Sequence, residues 1–423
     1  TVEGPAVLTL EAGTVVDAHT YAIHVVNGGT VIADDARLTS TAPVTSQGSH
    51  GSGLWPGLVV DSSSSAFLNG TAIERAETCL HLEGTLEAND LTLKNCYIGL
   101  DVTGSATAEV DTLHVEQADV FAVRNKGTLD LLNQARLHNV SIGLQSEGAT
   151  YVADLEVEDA LQGVKAVSGT ASIHGLTATS NKIALGASAG ATLEAHDVTV
   201  RDSGLAVDAS DATSLTVDVL DVSTTGTLLQ GRNVAGLSLS NVTASISDGG
   251  AATKAIDLPC SGTCHLSTAS LALDNATVHV SGSGTTGFTE VLLHAVNTTR
   301  PVLEATGTGT FDADTMTVLG EGGVLFRDLD TSIQDMHVDL GQGEGPAVDL
   351  MAGDHVWGDV VLERRYSAFD FSSQGLVARY ATMHANALSA TNLSTGVHLD
   401  ATHFASTMLS SLDGRNACSA SHH

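Results

Sequence analysis

The chain has 423 residues, a formal net charge of −32 and only 4% aromatic residues. So acidic a surface repels nucleic acid and anionic membranes, and no apolar run of about 18 residues is present to cross a bilayer as a helix. Six prolines exclude a linker-rich chain, while abundant Gly, Ala, Val, Leu, Thr, Ser and Asp describe short strands joined by tight turns.

In chain order, the sequence opens at Thr1 directly on strand-like residues, which suits a mature, processed protein. From Gly84 it falls into register. The glycines at 84, 104, 127, 148, 169 and 190 close successive units with spacings of 20, 23, 21, 21 and 21, the mark of a stacked repeat. Within a unit the apolar residues alternate, as in Leu91, Leu93, then Ile98, Leu100, Val102. Period two is the strand signal, and helical templates fit nowhere. Each unit therefore holds about three short strands and cannot bury its inward residues alone. Stacking unit on unit does so, which predicts an all-β parallel solenoid of about 18 to 20 coils, each of about 21 residues. Asn95, Asn139, Asp159, Asn181 and Asp202 recur before the third strand and are expected at a left-handed turn, where Asn and Asp are tolerated. Regular coils are expected over 1–235 and looser ones over 236–415, with "SDGGAATKAIDLPCSGTC" and "SGSGTTGFTE" as bulging loops. One continuous body over 1–415 would end in a polar tail, 416–423.

The N-terminal third resembles secreted right-handed parallel β-helix proteins, the pectate-lyase-like superfamily. The matching stretches are Leu10 to Val16, Val25 to Ala33, "LWPGL" around Trp55 to Leu58, and Asn69 to Ala76; the stacked "(N/D)-x-x-x-G-(L/V)" coils extend the likeness to about residue 230. The resemblance implies a single-stranded right-handed parallel β-helix. It implies no chemistry, because such coils serve lyases, epimerases, adhesins and surface-layer components alike.

Candidate sites are few. Cys79 and Cys96 are expected on neighbouring rungs, where either a disulfide or a stack of two buried thiols is compatible with strand spacing. Cys260 and Cys264, in "PCSGTC", suit a local disulfide in a loop, and Cys418 is left for an intermolecular bridge or a free thiol. N-glycosylation acceptors stand at Asn69, Asn139, Asn241, Asn275, Asn297 and Asn392. Asp312 and Asp314 in "FDADT" form a fragment of a Ca²⁺ site; Ca²⁺ is the one cofactor the sequence suggests. Single histidines such as His81, His114, His138, His174 and His196 occur about once per coil and are read as exposed or turn positions. Trp55 follows a flexible loop and is expected to anchor it. "LERRYSAFDF" concentrates basic and aromatic residues; Arg364, Arg365 and Tyr366, with Arg379 and Tyr380 one coil on, are candidates for contacting a glycan or a partner chain.

These features predict an extracellular or cell-surface structural protein without enzymatic activity. It would be a homo-oligomer or filament assembled through its ends, because a solenoid exposes unpaired strand edges there. The alternative is a carbohydrate-binding module or polysaccharide-lyase-like enzyme acting on surface glycans along the Arg364 to Tyr380 face.

Overall fold

The computed structural model describes residues 1–41, 54–188, 190–224, 226–247, 253–343, 345–364, 373–400, 402–413 and 416–421. The chain divides into two compact units, Thr1–Gly204 and Leu205–His423. Each is a parallel β-solenoid, and no helix occurs among the described residues. In all there are about 17 turns spaced about 22 residues apart. The expectation of 18 to 20 coils was slightly high because later turns are longer: Thr107 pairs with Thr128, but Thr285 pairs with Thr310 and Val356 with His384.

In the first unit the period-two pattern becomes inward columns. Leu91, Leu113, Ala135 and Leu155 stack rung on rung, as do Leu93, Val115, Leu137 and Val157, and all eight are buried. In the second column leucine and valine alternate, which packs a narrow core. Four of the six recurring glycines, Gly84, Gly127, Gly148 and Gly169, have a steric cause. A Cβ at Gly148 would lie 2.2 Å from the Gly127 carbonyl oxygen, and one at Gly169 would lie 2.3 Å from that of Gly148; only glycine lets the rungs approach this closely.

The left-handed corner is real, with one correction. Arg75, Asn95, Gln117, Asn139, Asp159, Ser180 and Asp202 all have φ between 51° and 60°, and the strand register on either side places them in one column. Asn181, expected there, lies one residue further on. It is buried, its Nδ2 donates to the Val157 carbonyl at 3.1 Å, and its Oδ1 accepts from the Ala160 amide at 2.8 Å. It binds rung to rung from inside the core, while Ser180 makes the turn.

The second unit is more regular than its sequence suggests. Of the stretches read as loops, 248–252 lie outside the described residues, and most of the rest is strand, within Thr253–Asp274, Ala276–Gly282 and Thr285–Val296. Their glycines form a tight column: a Cβ at Gly284 would meet the Gly262 carbonyl at 2.3 Å, and one at Gly309 that of Gly284 at 2.0 Å. The core holds an aromatic run, Phe288, Phe311, Phe326 and Trp357, with successive ring centroids 5.0, 5.3 and 6.2 Å apart. Beside it a buried polar chain is fully satisfied. The Trp357 indole donates to Thr331 at 2.7 Å, the Thr331 hydroxyl meets His355 Nδ1 at 2.9 Å, and His355 Nε2 donates to the Ala352 carbonyl at 3.0 Å. Burial pushes the His355 imidazole below its ordinary value, so it serves as a neutral connector. Residues 416–421, expected as part of a polar tail, form a strand paired with Thr395–Asp400.

Candidate functional site

Cysteine placement departs from the simple stack. Thr78 pairs with Ile98 and Leu80 with Leu100, so Cys79 faces the position of Gly99 and not Cys96. The two sulfurs meet from adjacent columns, free of the parallel-side-chain problem of a direct stack, and are joined as a disulfide with a Cα–Cα distance of 5.8 Å. Cys260 and Cys264 are also bridged, at 6.2 Å. They lie on a strand, 1% and 0% exposed, and not in an open loop. Cys418 falls on the final strand, in register with Val397. Two disulfides fit an oxidising compartment.

Five of the six glycosylation acceptors have a structural origin. Asn139, Asn241, Asn275, Asn297 and Asn392 all have φ between 50° and 57°. An Asn at a left-handed corner, then a buried residue (apolar at four of them, Thr298 after Asn297), then a Ser or Thr, spells the acceptor pattern as a by-product of the turn. Three acceptors already use their amides: Asn69, Asn241 and Asn297 donate to Asp34, Asp218 and Asp274 one rung earlier, at 2.6, 2.7 and 2.7 Å.

Among the described residues the members of the basic and aromatic patch do not converge. Arg364 is 4% exposed and donates to the Gln342 carbonyl at 3.2 Å, so it offers no contact surface. Arg365 and Tyr366 lie outside the described residues. Arg379 pairs with Asp349 at 3.2 Å. Burial pushes the Asp349 carboxyl above its usual range despite that cation, and Asp349 lines a cleft of about 260 Å³ with Arg300, Pro301 and Glu321. Tyr380 stands 70% exposed at its own left-handed corner. Trp55 is fully buried, its indole donating to the Glu74 carbonyl at 2.8 Å; the loop it was expected to anchor includes 42–53, outside the described residues.

Asp312 and Asp314 instead belong to a groove of about 560 Å³ on one outer face of the second unit. His265, Gly287, Asp312, Ser332 and Val356 form one column of it. Alternation puts both aspartates on the outward face. Gly287 and Gly358 leave the floor without side chains, and His265 fills the space over Gly287, where a Cβ would lie 2.7 Å from its Nδ1. His265 Nε2 sits 3.5 Å from the Thr289 hydroxyl. Among the described residues no third carboxylate, imidazole or thiolate joins the two aspartates. The groove offers acceptors, hydroxyls and an imidazole, a surface suited to a hydroxyl-rich ligand.

The first unit carries its charges as ladders. Arg37 pairs with Glu74, Lys94 with Glu116, and Arg136 with Glu156, at 2.6, 3.0 and 3.1 Å. The most buried ladder was missed in the sequence, where its members are single residues about 20 apart. Asp101, 3% exposed, accepts from Arg124 Nε and Nη2 at 2.7 and 2.8 Å and meets His81 Nδ1 at 3.0 Å. Burial alone would raise its carboxyl, but the hydrogen bonds from His81 and Arg124 and the Arg124 charge outweigh burial and bring it down to about 2. The Asp101 bond in turn raises the His81 imidazole. A depressed carboxyl contributes stability above its ordinary value of 3.8 that is lost as pH falls through about 2. A raised imidazole contributes stability below its ordinary value of 6.5 that is lost as pH rises through the folded value. The cluster is therefore most stabilising between roughly pH 4 and 6.5. Asp101→Asn should cost about 2 kcal/mol at pH 5, with the gap to wild type narrowing toward pH 2. Urea midpoints at pH 2, 5 and 8 check this; a gap independent of pH would refute the assignment.

No family model matches the chain, and no curated protein or solved structure matches it.

Proposed function

We propose that the chain is an extracellular structural protein, a cell-surface or filament-forming β-solenoid that assembles with copies of itself through its ends. The observation that carries this reading is the parallel rung ladder itself, with exposed valines on its first described turn. Val2–Glu3, Val7–Leu10 and Val15–Asp17 pair with Ile23–Val26, Thr30–Asp34 and Arg37–Thr39. Val7 and Val15 are 56% and 61% exposed there. A parallel strand edge flanked by exposed valines is a template for another strand edge. Parallel rungs at strand spacing let one copy continue the ladder of the next, a heterologous contact that propagates. The buried disulfides and the rung-to-rung charge pairs support a durable exported body.

Val7→Lys combined with Val15→Lys is expected to abolish self-association while leaving the thermal midpoint nearly unchanged, since both side chains are exposed and edge lysines block strand addition. Negative-stain microscopy and light scattering check it. Wild-type protein that stays monomeric at every concentration overturns end-assembly, and oligomers that survive both lysines place the contact elsewhere.

The Asp312 groove favours a second reading, a carbohydrate-binding face. Hydroxyls and carboxylates on a flat parallel sheet match a linear glycan better than they match an acid–base pair. Glycan-array binding lost in Asp312→Asn would support it.

A further inference from the structure

We infer that His138, Glu158 and Asp159 form a binding site for a divalent transition-metal ion of the zinc class, independent of the assembly reading. His138 and Glu158 are rung neighbours on an outward face, and Asp159 follows Glu158 at the left-handed corner. That corner swings the Asp159 carboxylate back toward the imidazole. His138 Nε2 lies 3.5 Å from Asp159 Oδ2 and 3.8 Å from Glu158 Oε2, and the three ligand atoms all fall within 4.8 Å of one another. A tetrahedral ion with bonds of about 2.0 to 2.1 Å needs its donors about 3.3 to 3.5 Å apart. The His138–Asp159 separation already meets this, and the His138–Glu158 separation exceeds it by a few tenths of an ångström.

The charge arrangement separates this set from the ladders around it. Nearby carboxylates have their own cations, as in Lys94–Glu116 and Arg136–Glu156. Here two carboxylates share one imidazole, and among the described residues no lysine or arginine forms an ion pair with either. Asp159 also lines a groove of about 490 Å³ with Asp119, Asn139, Leu161, Ser180 and Lys182, which leaves room beside it for water or an added ligand. An imidazole with two carboxylates suits zinc or its neighbours; Ca²⁺ and Mg²⁺ prefer more oxygen donors.

The test is titration of the chelator-treated full chain with ZnCl2 by calorimetry, with Co²⁺ visible absorption as a second readout. One ion per chain is expected at this site. His138→Ala should weaken it at least tenfold and abolish the Co²⁺ bands, with thermal midpoint and circular dichroism confirming the fold. His422→Ala with His423→Ala removes the terminal imidazoles, the obvious competing donors, and should leave the site intact. No binding by wild type, full binding by His138→Ala, or binding lost only with the terminal pair would each overturn the assignment.

Discussion

Phe311→Ala should destabilise the second unit by about 4 kcal/mol, the cost of truncating a buried phenylalanine in a packed core. Phe311 is 1% exposed and lies between Phe288 at 5.0 Å and Phe326 at 5.3 Å. The substitution opens a cavity and also breaks two aromatic pairs, each contributing beyond its buried area. Its neighbours are held by rung pairing on both sides: Phe311 is in register with Thr286 and Thr331. They cannot collapse freely into the space, which places the cost toward the upper end. In a solenoid each rung contacts only the adjacent ones, so the damage should stay local. Trp357 packs against Phe326 at 6.2 Å and reports on that neighbourhood, while Trp55 belongs to the other unit. Urea unfolding followed by fluorescence should show the Trp357 transition moving to lower denaturant with the Trp55 transition in place. A loss below about 1 kcal/mol would mean that this core is loosely packed.

The fold was legible because two signals repeat: alternating apolar residues and a glycine at each closing turn. The glycine signal has a direct cause in the carbonyl contacts of Gly148 and Gly169. The corner column was only partly legible. Asn95, Asn139, Asp159 and Asp202 announce a left-handed turn by residue type, but Arg75, Gln117 and Ser180 adopt the same φ because the rungs above and below impose it. Val219 does so in the second unit at φ 56°, in register with Asn241. Stacking overrides an intrinsic penalty on the order of 1 to 2 kcal/mol per residue. The same effect hid strands in the glycine-rich stretches, where composition says loop and close rung packing needs glycine.

Sites were harder to read because a solenoid joins residues about 22 apart, and a one-residue error in register turns a side chain to the other face. Asp101 with His81 and Arg124, and Asp349 with Arg379, emerge only once the ladder is fixed. Arg364 was misplaced for the same reason: sequence proximity put it among exposed contacts, and the rung turns it inward onto Gln342.

The register also decides what the Cys79–Cys96 bridge contributes. It closes a 17-residue loop, and the chain-entropy model assigns such a loop about 3 kcal/mol, against about 2 kcal/mol for the four-residue Cys260–Cys264 loop. Cys79→Ala with Cys96→Ala should therefore lower the melting temperature of the first unit by roughly 6 to 12 °C, given its domain-scale size. The corresponding pair of changes at Cys260 and Cys264 should shift the second unit less. Both bridges are buried, with Cys79 and Cys96 only 0% and 2% exposed, so a reductant should reach them only through unfolding. Alkylation followed by mass spectrometry would then show Cys79 and Cys96 unmodified below the melting transition and modified above it. Rapid labelling of folded protein by reductant and alkylator would show that the rungs around Asn95 open locally, and calorimetry of the double variant would then show a much smaller shift.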